Sequence, residues 1–296
     1  MSKTILNVAN SFVTFYDLAT DVGVTNYITD TECGIQKDFC YPIYDEKDVS
    51  YQFNVASTEV LTTSNVIPYR VIDGQGSTLT DVILSITTNG TYLGVPIYNI
   101  YVNYFSSDLV NLLSDGDCIQ LMFVCGTIEA ELAVYVSNQC FKKVNDKCLT
   151  SKLTYVNTSN AFGFVYRSYG TFPNIAVTAN RIRLPLYFKE PMINSDKTVY
   201  VRSDGSRQLL SARLAKKYKG YIDEVPEETH QNLVVALNHD GVYFATENST
   251  DLAGMQVRFE DEYNNNFPEI MQNVNIWSAD FTIFETPFNN FNSNCG

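Results

Sequence analysis

The 296-residue sequence predicts a mainly β protein of two β-sandwich or jelly-roll-like domains, the second carrying one α-helix. Three observations carry that expectation. Composition comes first: 20 Tyr, 18 Phe and many Val, Ile and Thr residues fit a pleated, half-buried surface, while helix-favouring Ala, Glu, Lys and Arg are scarce. Rhythm comes second, because short apolar segments recur roughly every 8 to 15 residues between turn signals. Third, convincing helical periodicity is confined to one stretch.

The first domain is expected over residues 1–150. Ser50–Val55, Val66–Ile72, Thr80–Thr87, Ile97–Tyr104, Ile119–Val124 and Leu132–Val136 read as its strands. Asp73-Gly74-Gln75-Gly76, Asn89-Gly90 and Ser114-Asp115-Gly116-Asp117 carry turn chemistry between them.

The second domain is expected over residues 151–296, opening with strands at Leu153–Val156, Phe162–Tyr166 and Arg181–Phe188. Ser203-Asp204-Gly205 predicts a tight turn between Val199–Val201 and Gln208–Leu210. The helix is expected near 226–238. Pro226 is placed at its first position and Glu227 and Glu228 in its first turn, where carboxylates meet the positive end of the dipole. Leu233, Ala236 and Leu237 form the apolar stripe, and Gly241 is expected to close the helix. Strands at Val242–Ala245, Met255–Phe259 and Trp277–Glu285 follow, then an extended polar tail over Asn289–Cys295.

Composition also bounds function. Hydrophobic residues at 45% can fill a core, whereas charged residues at 18% fall below the roughly 25% of an average domain. A surface of Asn, Ser, Thr and Tyr is cheaper to desolvate than a charged one, which suits packing against neighbouring proteins. A net charge of −13 opposes binding of phosphate backbones, so no sequence-specific nucleic-acid partner is expected. The N-terminus lacks the apolar core of a signal peptide and no run of 18 apolar residues occurs, so cytoplasmic synthesis without membrane insertion is expected. Seven cysteines, an odd number without a CxxC pair, are read as free and mostly buried thiols.

Charge is unevenly placed. Ten of the 20 basic residues fall between Arg181 and Lys219, against Glu190, Asp196 and Asp204 alone. After Lys219 only Arg258 is basic, while 13 acids follow. Arg202, Arg207, Arg213, Lys216, Lys217 and Lys219 are therefore a candidate subunit-docking stretch. The plainer reading is a cluster that balances acidic surface within the same chain.

Catalytic constellations find no support in the sequence. His230 and His239 fall in and at the end of the expected helix, where capping and packing explain them, and neither accompanies a Gly-x-Ser-x-Gly elbow. Asp45, Glu46 and Asp48, or Glu260, Asp261 and Glu262, could pair as glycosidase carboxylates, but each group reads as a solvated loop. Asp115-Gly116-Asp117 lacks the ligand alternation of a calcium loop, and no phosphate-binding glycine loop opens a helix. No catalytic, metal or cofactor-binding residue is assigned, and no cofactor is expected.

Several short stretches carry a family likeness. They are Asp38-Phe39-Cys40-Tyr41-Pro42-Ile43-Tyr44, Ala161-Phe162-Gly163-Phe164-Val165-Tyr166 and Arg183-Leu184-Pro185-Leu186. Downstream come Val199-Tyr200-Val201-Arg202-Ser203-Asp204-Gly205, Ala236-Leu237-Asn238-His239-Asp240 and Asn292-Ser293-Asn294-Cys295. In these the chain resembles structural proteins of Bacteroidetes-infecting tailed phages, the crAss-like phages among them. The resemblance implies a tail, baseplate or neck-ring component that assembles as a ring around a central channel. Its implied partners are copies of itself and other virion tail or neck proteins, and its implied place is the tail or neck of the virion.

The leading expectation is a non-enzymatic structural subunit of a phage virion, most simply a tail or connector ring component. The alternative is a receptor- or glycan-binding baseplate or fibre module. Tyr98, Tyr101 and Tyr104 could stack on sugars there, although a spacing of three alternates faces along a strand. A capsule depolymerase is a third reading.

Overall fold

The computed structural model describes residues 3–7, 11–18, 39–45, 47–72, 75–79, 83–103, 113–127, 132–145, 150–156, 180–188, 192–239, 241–245, 255–266, 276–285 and 289–292. In the first half the strands are β1 (Thr4–Leu6), β2 (Phe15–Asp17), β3 (Tyr41–Ile43), β4 (Ser50–Ala56), β5 (Val66–Ile72) and β6 (Gln75–Thr78), followed by β7 (Ile83–Tyr92), β8 (Val95–Asn103), β9 (Cys118–Cys125) and β10 (Ala133–Lys143). The second half supplies β11 (Ser151–Val156), β12 (Asn180–Leu184), β13 (Leu186–Phe188), β14 (Met192–Val201) and β15 (Arg207–Pro226). Helix α1 (Glu227–Leu237) comes next, then β16 (Gly241–Ala245), β17 (Met255–Asn266), β18 (Ile276–Glu285) and β19 (Asn289–Asn292). The fold is mainly β, as composition and rhythm predict.

The strands form two sheets. The smaller runs β2-β10-β9-β5-β6, with β3 added in parallel along β10. The larger runs β13-β15-β18-β17-β16-β11-β12-β4-β8-β7, with β1 on β4 and with β14 and β19 on β15. Strands from both halves of the chain thus share the large sheet. They meet where β12 pairs with β4 through Arg181 opposite Ser50.

Aromatic side chains seal the two sheets together. Phe15 of β2 and Phe123 of β9 interdigitate with Tyr51 and Phe53 of β4, with ring centroids 4.7 to 5.8 Å apart. Farther along the large sheet, Phe188, Phe244 and Phe281 gather with centroids 5.0 to 6.3 Å apart. Leu233, Ala236 and Leu237 of α1 belong to the same continuous core. Phe12, edge-on to both Tyr41 and Tyr155, bridges the two regions. Such rings bury large areas and favour offset or edge-to-face contact.

Local chemistry sets the boundaries and corrects several expectations. Asn89-Gly90 does not form the turn between β7 and β8. It lies within β7, at a register shift between Thr88 and Thr91, and the chain reverses through Leu93 and Gly94, both with positive φ (50° and 80°). The reversal expected at Asp73-Gly74-Gln75-Gly76 does fall between β5 and β6, where Ile72 pairs with Gln75; Gln75 and Gly76 already belong to β6, and Asp73 and Gly74 lie outside the described residues. Pro226 caps α1 with extended backbone instead of occupying its first turn. The helix closes on Asn238, whose side-chain amide donates to the Val234 carbonyl at 2.8 Å, and on His239, whose Nδ1 meets the Val235 carbonyl at 2.9 Å. Gly241 begins β16. The expected strand at 162–166 and the tail beyond residue 292 lie outside the described residues.

Candidate subunit interface

The six candidate basic residues all fall on one supersecondary unit, the β14–β15 hairpin. The expected short hairpin is its outer end only, since pairing continues from Val201–Arg207 down to Met192–Lys217. The turn is self-contained. Arg202 N–H donates to the Ser206 carbonyl at 2.9 Å, Gly205 N–H donates to the Arg202 carbonyl, and Asp204 Oδ1 accepts from Ser206 N–H at 2.8 Å. Gly205 sits at φ 81°, a conformation that costs a residue with a Cβ but not glycine.

Strand periodicity then sorts the hairpin's faces. Val199, Val201, Leu209 and Arg207 share one face by register, and Tyr200, Gln208 and Arg202 share the other. Val199, Tyr200, Val201 and Leu209 are all exposed, so the tip presents apolar surface on both faces. Arg202 and Arg207, also exposed, flank that surface, and Arg202 Nη2 donates to Gln208 Oε1 at 2.9 Å.

Nearer the core the basic residues have partners within the chain. Lys219 pairs with Asp280 at 3.3 Å and lies over the Tyr221 ring, and Lys217 lies 4.6 Å from the centre of the Phe284 ring. Lys216 is exposed beside them, and Arg213 pairs in register with Asp196 and Asn290. Here β15 is held between β13 and β18, and Gly220 is required because a Cβ would meet Phe281 at 2.7 Å. The basic stretch therefore divides into a projecting tip (Arg202, Arg207) and a rooted base (Lys217, Lys219).

Asp48, a carboxylate expected in a solvated loop, is instead fully buried. It lies just before β4, and Arg183 of β12 is fully buried with it. Arg183 Nε and Nη2 donate to the two Asp48 oxygens at 2.6 and 2.9 Å, and Nη1 donates to Thr150 Oγ1 at 3.0 Å. Asp48 Oδ2 also accepts the N–H groups of Tyr44 and Asp45 at 2.8 Å each. Around this pair, burial holds Lys152 and Arg181 below their ordinary pKa values, opposed by the charges of Asp48 and Asp45 on Lys152 and of Tyr101, Asp48 and Asp45 on Arg181. Burial likewise pushes the Tyr101 phenol up to about 12. The cluster binds β12 to the turn entering β4, at the junction where those strands share a single paired position. Glu260, Asp261 and Glu262 correct the same expectation, because their backbone belongs to β17.

The histidines are structural in geometry. His230 is buried, with Nε2 3.0 Å from the Trp277 carbonyl and Nδ1 2.6 Å from the Tyr263 hydroxyl. A carbonyl only accepts, so Nε2 carries the proton and Nδ1 accepts from Tyr263. Burial lowers the His230 pKa. Tyr98 and Tyr101 are buried, which removes them as an exposed sugar platform, and Tyr104 lies outside the described residues.

The cysteines overturn the expectation of free thiols. Cys40 and Cys140 are joined across 100 residues, and Cys118 is also disulfide-bonded. Among the described residues Cys125 is free and buried, and burial pushes its thiol up to about 12. No three His, Cys, Asp or Glu side chains among the described residues converge as metal ligands would. No described helix is long and apolar enough to cross a membrane.

No protein-family model matches the chain, and no curated protein matches it in sequence.

Proposed function

We propose that this chain is a non-enzymatic structural subunit that works by assembling with copies of itself, as a tail or connector ring component of a tailed-phage virion. The observation that carries the assembly reading is the outer end of the β14–β15 hairpin. It exposes Val199, Tyr200, Val201 and Leu209 on both faces, although two-stranded ribbons are marginal in water and gain from being covered. Charge supports it too, because basic residues are concentrated on the hairpin of a chain with net charge −13. The virion placement rests on the resemblance of the short motifs, which include Val199–Gly205 at the hairpin tip.

Sedimentation and negative-stain electron microscopy of the purified protein test the reading. Closed oligomers of uniform size are expected at micromolar concentration. A protein that stays monomeric up to about 1 mM, whether alone or with lysate of the phage's host, overturns it.

A further inference from the structure

The two ends of β15 carry opposite charge. At one end, Arg202 and Arg207 frame the hairpin turn, with Lys197 exposed on the adjoining strand. At the other end, Asp223 and Glu224 leave the sheet edge and Glu227 and Glu228 open α1, and all four are exposed. No basic residue lies among residues 220–228. Among the described residues none of these four carboxylates makes an ion pair, nor do Lys197, Arg202 or Arg207.

The acidic shoulder is held firmly. Ile222 and Val225 on either side are fully buried, and β15 shifts register against β18 between them. Glu224 therefore bulges outward at φ 45°, its N–H 3.3 Å from Ser278 Oγ. Pro226 then turns the chain into α1, whose first turn adds Glu227 and Glu228. Seventeen strand steps separate Arg207 from Glu224, up to roughly 55 Å at about 3.3 Å per residue, too far for the two ends to meet within one copy.

We infer that the hairpin tip of one copy docks on the Asp223–Glu228 shoulder of a second copy, so that the subunits join head to tail. The inference rests on the proposed assembly function and specifies its contact. Tip on tip or shoulder on shoulder would set like charges against each other, whereas tip on shoulder pairs cation with carboxylate. A two-fold axis can make that pairing twice, reciprocally, but it closes at a dimer. The heterologous contact uses each patch on a different neighbour and generates a ring when the rotation closes, so oligomers larger than a dimer mark the head-to-tail mode. The exposed Val199, Tyr200, Val201 and Leu209 travel with the tip and supply the apolar centre that charge pairing alone lacks.

A charge-swap mixing experiment tests this. Arg202→Glu/Arg207→Glu gives a tip-reversed protein, and Asp223→Lys/Glu224→Lys/Glu227→Lys/Glu228→Lys gives a shoulder-reversed one. Thermal melting first confirms that each folds. Each variant alone should associate at least about tenfold more weakly than the parent, because like charges then meet in every contact. An equimolar mixture should regain assembly, since the reversed tip fits the reversed shoulder and the unaltered tip fits the unaltered shoulder. Oligomers that persist in either variant alone, or a mixture that fails to assemble, overturn the docking mode while leaving the assembly reading intact. A parent that stays monomeric defeats both, and one that associates only with a different protein defeats the assignment of a second copy. Should either variant fail to fold, salt serves instead. Association of the parent should weaken about tenfold or more between low and roughly 0.5 M salt, and an association indifferent to salt overturns the proposal.

Discussion

Arg183 holds its guanidinium away from all solvent and satisfies it through Asp48 and Thr150. Two charges taken from water repay their desolvation only when geometry is close and further hydrogen bonds support the pair. Here each guanidinium nitrogen has an acceptor within 3.0 Å, and Asp48 also accepts two backbone N–H groups. Asp48→Asn should therefore destabilise the fold by about 3–5 kcal/mol, because it leaves the Arg183 cation buried and uncompensated. Urea unfolding would check this, and a loss below about 1 kcal/mol would show that the guanidinium finds another partner. His230 makes a pH-dependent contribution. Its folded-state pKa is lowered by burial, so the unfolded chain binds the proton more readily. Stability from this site is fully present above the ordinary histidine pKa of about 6.5 and is lost as pH falls from there through the lowered folded value. Protonation would also set a second N–H against the Tyr263 hydroxyl that now donates to Nδ1. The stability advantage of the parent over His230→Gln should accordingly shrink from pH 7 to pH 5; an advantage that is constant or grows would show that the ring does not titrate as inferred.

Among elements, the two long hairpins show what a sequence discloses and what it withholds. Strand centres such as Ser50–Ala56, Val66–Ile72 and Cys118–Cys125 are legible because apolar and β-branched residues crowd between turn signals. Helix α1 is legible from Pro226, two first-turn carboxylates and its apolar stripe. The β7–β8 reversal is not, because Asn89-Gly90 advertises a turn while pairing with β8 continues past it to Tyr92. Long-range register, rather than local propensity, places the turn at Leu93-Gly94. Leu93 is a poor choice there: its φ of 50° is strained for a residue with a Cβ, and its side chain is 87% exposed. Leu93→Asn should raise stability by about 0.5–1 kcal/mol, since asparagine tolerates that conformation and favours such turns. Thermal unfolding measures the gain, and a destabilised variant would mean that the leucine is covered in the assembled state or packs locally. The basic stretch was legible as a cluster of charge, but its division into a projecting tip and a rooted base was not. That division depends on Asp280 and Phe284, some sixty residues downstream of the lysines they meet.

At the scale of the molecule, the small sheet, the large sheet and the segment entering β3 are fastened by different means. Aromatic packing joins the sheets through Phe15, Phe53 and Phe123, and the Asp48–Arg183 pair ties β12 to the entry of β4. The Cys40–Cys140 bond joins the start of β3 to β10 beside the register shift between Val136 and Cys140. Cysteine count and spacing concealed this bond, because an odd number without paired motifs says nothing about which thiols the fold brings together. A cross-link closing a separation of 100 residues removes much of the freedom of the unfolded chain. Cys40→Ser/Cys140→Ser should therefore lower unfolding stability by about 2–4 kcal/mol under oxidising conditions. Using the double variant avoids leaving a reactive thiol behind. Reducing the parent should cost at least as much, because the bond at Cys118 is lost as well. Urea titrations of parent and variant, each with and without dithiothreitol, separate the two contributions: the variant should respond to the reductant less than the parent does. Equal stability of oxidised parent and variant would mean that strain in the folded state cancels the constraint on the unfolded one, and that β3 is held on β10 by its backbone pairing alone.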